Sequence, residues 1–245
     1  GRWPRRGQRP MLRWRRLSLN THNGGRTLGF VPPRPPKPES DRPTAAILAS
    51  GTGTNALNLI ANVPNKAPFP VMACVISDNP DAPVLDKASR LGVDAVALPY
   101  ARAPGTALTE AKTAHEAALL SRLRALEVSW LFLAGYRRIL SPGFLRDFHA
   151  AAGAPKRIIN IHPSLLPAFP GKDGYGDAYA AGVTRHGATV HFVDEGIDTG
   201  PIILQRAYEV EPGTAFDRFK ALGLALEHRL YLDAVTYLFT EKRAP

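Results

Sequence analysis

Cysteine is nearly missing from this 245-residue chain, with Cys74 standing alone. That count excludes a disulfide framework and a cysteine-ligated zinc site. Long hydrophobic runs are missing too. No apolar stretch reaches the ~20 residues that a bilayer-spanning helix needs, so membrane-spanning helices are excluded. No Gly-Lys-Ser or Gly-Lys-Thr follows a glycine loop, which removes a Walker-type phosphate loop and the NTP hydrolysis it supports. There is no Gly-x-Ser-x-Gly, so a nucleophile elbow is absent and covalent catalysis is disfavoured. His, Asp and Glu show no metal-ligand spacing, and no metal is expected.

Positive charge is plentiful but unevenly placed. Residues 1–43 hold 11 Lys/Arg against two Asp/Glu and eight of the 23 prolines, several of them in Pro32-Pro33-Arg34-Pro35-Pro36-Lys37-Pro38. Such a segment favours extended polyproline conformation and cannot pack a core. Residues 44–245 keep 20 basic and 19 acidic side chains, a net of +1. The overall charge of +10 therefore describes a basic tail, 1–43, and not a nucleic-acid-binding surface on the domain, 44–245. No nucleic-acid or membrane partner is expected. The single cysteine is compatible with a reducing compartment and a cytoplasmic location, while an Arg-rich, acid-poor tail also permits organellar import.

Hydrophobic residues make up 44% of the chain, enough for one sizeable core. The spacing predicts short buried strands at 45–49, 71–77, 95–98, 130–134 and 157–161, alternating with helices at 55–63, 82–91 and 107–127 and a helix starting at Ser141. Such alternation means βαβ units and a Rossmann-like, doubly wound, mostly parallel sheet. After residue 185 the pattern changes: two strands, 188–193 and 202–210, follow each other without a helix, and a helix over 215–239 closes the chain. The fold class is a single α/β domain with a modified C-terminal part.

Ser50-Gly51-Thr52-Gly53-Thr54-Asn55 lies between the first strand and the first helix. In an open parallel sheet that turn sits at the carboxyl end of a strand, where ligands bind. Glycines let the backbone approach an anion, and the helix start presents unpaired N–H groups. Thr54 and Asn55 add side-chain donors. A rival reading is available, because Gly51, Gly53 and Ala56 also satisfy the loose dinucleotide pattern G-x-G-x-x-[GA], with Asp78 near the place of a ribose-binding acid.

Asn160-Ile161-His162-Pro163 is the most informative segment. Two residues apart at the end of a strand, the amide and the imidazole share a face, and Pro163 ends the ladder just beyond them. An Asn can donate to a developing oxyanion and a His can move a proton near neutral pH. The loop 194–201 supplies carboxylates; Gly196 and Gly200 would let Asp198 reach inward, with Asp194 and Glu195 facing water. An Asn/His/Asp set without a nucleophile suits direct transfer of an acyl-type group to a bound amine. His191 reads as a satisfied core histidine, and Cys74 as a small buried hydrophobe.

With these residues in view, the chain resembles the phosphoribosylglycinamide formyltransferases, folate-dependent transformylases of purine synthesis. Four stretches carry the likeness: 50–55, Leu133-Ala-Gly-Tyr-Arg-Arg-Ile-Leu140, Asn160-Ile-His-Pro-Ser-Leu-Leu-Pro167 and His191-Phe-Val-Asp-Glu-Gly-Ile-Asp-Thr-Gly-Pro201. The resemblance implies formyl transfer from 10-formyltetrahydrofolate to the amine of glycinamide ribonucleotide. It assigns Gly53, Thr54 and Asn55 to the substrate phosphate, Glu227 to the ribonucleotide, and Asn160, His162 and Asp198 to catalysis. Arg138, Ile139 and Leu140, with Asn160 and Val193, Asp194, Glu195, Gly196, Ile197 and Asp198, would line the folate site. Two departures stand out. Arg137 replaces a larger apolar residue beside the folate pocket, where it would either reach the cofactor's glutamate tail or, the favoured reading, face solvent. Lys172-Asp173-Gly174-Tyr175 replaces a segment that often carries histidines, and no role is assigned to it.

Related folate enzymes are the alternatives: formyltetrahydrofolate hydrolase, which has an added N-terminal regulatory domain, and methionyl-tRNA formyltransferase, which has a C-terminal tRNA-binding domain. A dinucleotide dehydrogenase or an inactive nucleotide-binding module would leave Asn160, His162 and Asp198 without a joint explanation. A monomer or homodimer is expected.

Overall fold

The first apolar run becomes β1 (Thr44–Leu48), buried along its whole length. In the computed structural model, residues 42–100 and 107–241 are described. The tail read at 1–43 lies outside them except for Arg42 and Pro43. These two belong to the folded part: the Arg42 guanidinium donates to the carbonyls of Phe69 (2.9 Å) and Pro70 (3.2 Å), and Val71 N donates to Pro43 O. The first strand begins at Thr44, where order was expected to begin.

The elements that follow are α1 (Thr54–Asn62), β2 (Val71–Ser77), α2 (Pro83–Arg90), β3 (Asp94–Ala97), α3 (Leu108–Ala125), β4 (Trp130–Leu133), α4 (Pro142–Ala151) and β5 (Ile158–His162). Then come α5 (Gly174–Ala180), β6 (Arg185–Phe192), β7 (Ile202–Glu209) and α6 (Phe216–Thr240). The seven-stranded sheet has the order β3-β2-β1-β4-β5-β6-β7. Its first five strands are parallel, and β6 and β7 join antiparallel. The α/β, mostly parallel architecture with a modified C-terminal part is as expected.

Adjacent strand residues point to opposite faces, and the core divides accordingly. Ile47, Phe132 and Ile159 pack on one face with Leu59 of α1 and Leu230, Tyr231 and Val235 of α6. Their neighbours Leu48, Leu131 and Ile158 pack on the other with Leu119 and Leu123 of α3 and Phe144 and Phe148 of α4. The runs read as continuously apolar because both faces are covered.

α5 was not foreseen. Its seven residues are too few to show a helical period, and it is capped by the Asp173 carboxylate, which accepts from Gly176 N. Two features of the sheet locate the site. The order reverses at β1, which opens a crevice at the carboxyl ends of β1 and β4. Beside it, β5 ends in Asn160 and His162, opposite His191 and Thr189 of β6. Among the described residues no helix is long and apolar enough to cross a membrane.

Candidate active site

The glycine loop spans this crevice. Ser50 N donates to Gly135 O (3.1 Å), which ties the ends of β1 and β4 together. Gly53 caps α1 in the left-handed region (φ 68°), and a Cβ there would lie 2.0 Å from Val84 Cγ2 of α2. Only glycine meets both demands. The first turn of α1 carries no acidic side chain, leaving its N–H end open to an anion. Asn55 is buried, and its amide is used differently from the expectation: Nδ2 donates to Glu227 Oε2 at 2.6 Å. The side chain of Asn55 thus meets the acid, and an anion would be met by the backbone.

Asp78, the acid of the rival dinucleotide reading, is tied within the protein. Ser50 Oγ donates to one of its oxygens (2.5 Å) and Arg138 Nε to the other (2.7 Å), and its side chain is only 4% exposed. Burial opposes its ionisation, but the bonds from Ser50 and Arg138 and the guanidinium charge outweigh this and hold the carboxyl below its ordinary range. Asp78 thus straps the glycine loop at Ser50 to Arg138 at the cavity.

At the end of β5 the expected trio comes together. His162 is 3% exposed and lies between two acceptors, Nε2 at 2.7 Å from Phe169 O and Nδ1 at 3.3 Å from Asp198 Oδ2. Asp198 reaches inward from a left-handed backbone (φ 54°), a region an aspartate tolerates, and also accepts from Gly171 N at 2.8 Å. Burial pushes its carboxyl up, yet hydrogen bonds from His191 and Gly171 N and the neighbouring imidazoles prevail and lower it. Asp198 is therefore charged at neutral pH. Asp194 turns outward, accepting from Gly196 N and Thr199 Oγ1, and Glu195 is exposed.

His191 was read as core and belongs to this cluster. It is buried, and its Nδ1 donates to Phe192 O (2.9 Å). Nε2 lies 3.3 Å from Asn160 Nδ2 and 3.5 Å from Asp198 Oδ1. The signal was in the pairing: antiparallel neighbours directly opposite one another share a face, and Asn160 is opposite His191. Without the register, a histidine inside a strand carries no such message.

Glu227, on α6, is 5% exposed, yet both oxygens are engaged: Oε2 by Asn55 and Oε1 by the Tyr175 hydroxyl of α5. Burial raises its carboxyl above the usual range, and the bonds from Tyr175 and Asn55 and the charge of Lys220 offset this only in part. Beyond the crevice, a cavity of about 190 Å³ is lined by Tyr100, Arg137, Arg138, Ile139, Leu140 and Lys172, among others. The Arg138 guanidinium lies 4.2 Å from the Tyr100 ring centroid. Arg137 has an exposed side chain at this rim and donates its backbone N–H to Ser50 Oγ. The trio does not line the cavity, but Lys172 adjoins Gly171, whose N–H holds Asp198. Val193 extends the ladder onto β5, donating its N–H to Ile158 O. Ile139 and Ile197 are 51% and 53% exposed, large apolar side chains left without cover.

The sequence profile of the family described as "Formyl transferase" matches residues 44–235. The chain belongs to the formyl transferase family. A phosphoribosylglycinamide formyltransferase of Bacillus subtilis (strain 168) is 37% identical over 193 residues, covering 79% of this chain and 93% of that protein. Among solved structures, glycinamide ribonucleotide transformylase 1 from Symbiobacterium toebii is 40% identical with a TM-score of 0.71, covering 82% of this chain and 88% of its own. The phosphoribosylglycinamide formyltransferase from Streptococcus pneumoniae TIGR4 is 36% identical with a TM-score of 0.69, covering 81% and 99%.

Within this formyl transferase fold, the residues singled out from sequence fall into three connected groups. Asn160, His162 and Asp198 form one, joined by His191. Asn55 and Glu227 form the second, beside Gly53 and Thr54 and joined by Tyr175. Arg138, Ile139 and Leu140 form the third, at the cavity. Tyr175 was missed because a tyrosine in an unrecognised seven-residue helix has no spacing to announce it.

Proposed function

We propose that this chain transfers the formyl group of 10-formyltetrahydrofolate to the amine of glycinamide ribonucleotide in purine synthesis. The observation that carries the reading is the convergence of Asn160, His162 and Asp198 at the end of β5 in a formyl transferase chain. Its likeness to phosphoribosylglycinamide formyltransferases over nearly their whole length supports the choice of acceptor.

The residues fit a folate. Exposed Ile139 and Ile197 offer apolar surface, and Arg137, Arg138 and Lys172 offer cations to a carboxylate tail at the cavity. The folate supplies an electrophilic formyl carbon on a nitrogen leaving group. The open N–H end of α1 at Gly53 and Thr54 holds the substrate phosphate. Glu227 accepts from the ribonucleotide's hydroxyls. Asn160 Nδ2 and the Nε2–H of a protonated His162, handed over from Phe169 O to the bound substrate, donate to negative charge as it develops on the formyl oxygen. Asp198 steadies the imidazolium through Nδ1, and His191 lies within reach of both Asn160 and Asp198 through its one remaining nitrogen.

The test is formyl transfer from 10-formyltetrahydrofolate with and without glycinamide ribonucleotide, for the intact protein and His162→Ala. Turnover that requires the ribonucleotide and falls by about 100-fold or more in the variant is the expected result. Folate consumption without an acceptor would instead indicate the hydrolase. Silence in both assays from folded protein would overturn the proposal.

A further inference from the structure

A segment to which the family pattern assigns no role makes the closest contact with the buried acid of the substrate end. The Tyr175 hydroxyl donates to Glu227 Oε1, while Asn55 Nδ2 holds Oε2 at 2.6 Å. Space for the ring comes from Gly223, one turn before Glu227 on α6: a Cβ there would lie 2.4 Å from Tyr175 Cε1. The other side of the same helical turn meets the reaction centre. A Cβ on Gly174 would stand 3.1 Å from His162 Nε2 and 3.1 Å from Pro163 O. Asp173 caps the turn through Gly176 N, so Gly174 and Tyr175 are held in one short rigid piece. Two glycines thus let α5 sit tightly between His162 and Glu227.

We infer that Tyr175 is a positioning residue for the nucleotide acceptor, fixing the Glu227 carboxylate so that its remaining lone pairs face the sugar hydroxyls of the ribonucleotide. The inference rests on the functional reading above. A carboxylate oxygen accepts more than one hydrogen bond, so bonds from Tyr175 and Asn55 set the direction of Glu227 without exhausting it. Two anchors from different elements also remove the rotamer freedom that a substrate would otherwise have to freeze. Because α5 touches His162 as well, the distance between the sugar site and the reaction centre is set by one element.

The groups facing Glu227 are Tyr175 of α5, Asn55 of α1, Lys220 of α6 and Tyr208 of β7. Tyr175 and Asn55 donate to the ionised form and Lys220 is a cation, so all three favour the carboxylate; Tyr208 is neutral near pH 7, with burial pushing its hydroxyl up to about 12. Removing the Tyr175 hydroxyl therefore moves the ionisation of Glu227 to higher pH.

Tyr175→Phe keeps the ring against Gly223 and deletes only the donor. The expected result in steady-state formyl transfer is a rise in KM for glycinamide ribonucleotide of about tenfold, the scale of a lost hydrogen bond to a charged group. KM for the formyl folate should be unchanged and kcat should fall by less than about threefold. The acid limb of kcat/KM for the ribonucleotide should move upward in pH. Gly223→Ala, which displaces the ring but leaves both functional groups intact, should raise the same KM. An unchanged ribonucleotide KM in Tyr175→Phe, with active wild type, would overturn the inference and leave the function standing. Equal losses for both substrates together with a lower melting temperature would also overturn it, showing Tyr175 to be structural. A wild type that ignores the ribonucleotide would overturn both.

Discussion

Replacing Asp198 by Asn isolates one charge. The amide has the size of the carboxylate, tolerates the left-handed backbone that position 198 adopts (φ 54°), and can still accept from Gly171 N. What disappears is the negative charge 3.3 Å from His162 Nδ1 and 3.5 Å from His191 Nε2. At an effective dielectric of about 20, an imidazolium 3.3 Å from that charge gains about 5 kcal/mol. The Asp198 side chain is 13% exposed, so solvent screens part of this and about 2–4 kcal/mol is the working figure. If a protonated His162 is needed in the transition state, kcat should fall by roughly 30- to 1000-fold. The melting temperature should stay within a few degrees, because the hydrogen bond to the 171 backbone is kept. The assay is single-turnover formyl transfer at saturating substrates, with a thermal melt of the same sample. A kcat within threefold of wild type would refute the idea that Asp198 acts through its charge.

Two further outcomes test the surroundings. Gly53→Ala forces a side chain into the left-handed region, about 1–2 kcal/mol, and into Val84 Cγ2 at 2.0 Å, about 1–3 kcal/mol of overpacking; a lowered melting temperature and weaker phosphate binding are expected, and chemical denaturation showing no loss would contradict the local geometry. Glu227 has a carboxyl raised by burial, so its ionisation penalises the folded state as pH climbs from the unfolded value, about 4.3, through the folded one. Glu227→Gln should therefore gain stability relative to wild type as pH rises above about 4.3 while losing ribonucleotide affinity, and denaturant titrations whose difference does not change with pH would contradict this.

Much of the architecture was legible because buried parallel strands announce themselves. Val71–Ser77 matches the expected strand end to end, since both faces are covered and the turn at Asp78-Asn79-Pro80 is explicit in the sequence. Asn160 and His162 were legible as a pair because strand alternation and Pro163 fix their direction locally. His191 and Tyr175 were not, for the same reason in reverse: their meaning depends on partners 31 and 52 residues away. Asn55 shows the limit most sharply. Its position at a helix start points to an anion, whereas its amide answers to a glutamate 172 residues later.

That last bond has a consequence for the newborn chain. The glycine loop leaves the ribosome early, but Asn55 has no Glu227 until the closing helix is made. The same helix carries Tyr231, whose hydroxyl reaches the carbonyls of Leu133 of β4 at 3.0 Å and Ile159 of β5 at 3.3 Å. A nascent chain that stops short of α6 can therefore possess every residue of the Asn/His/Asp trio and still lack Glu227 and Tyr231. Contacts of such long sequence separation form late and slowly. Competence arrives when α6 docks.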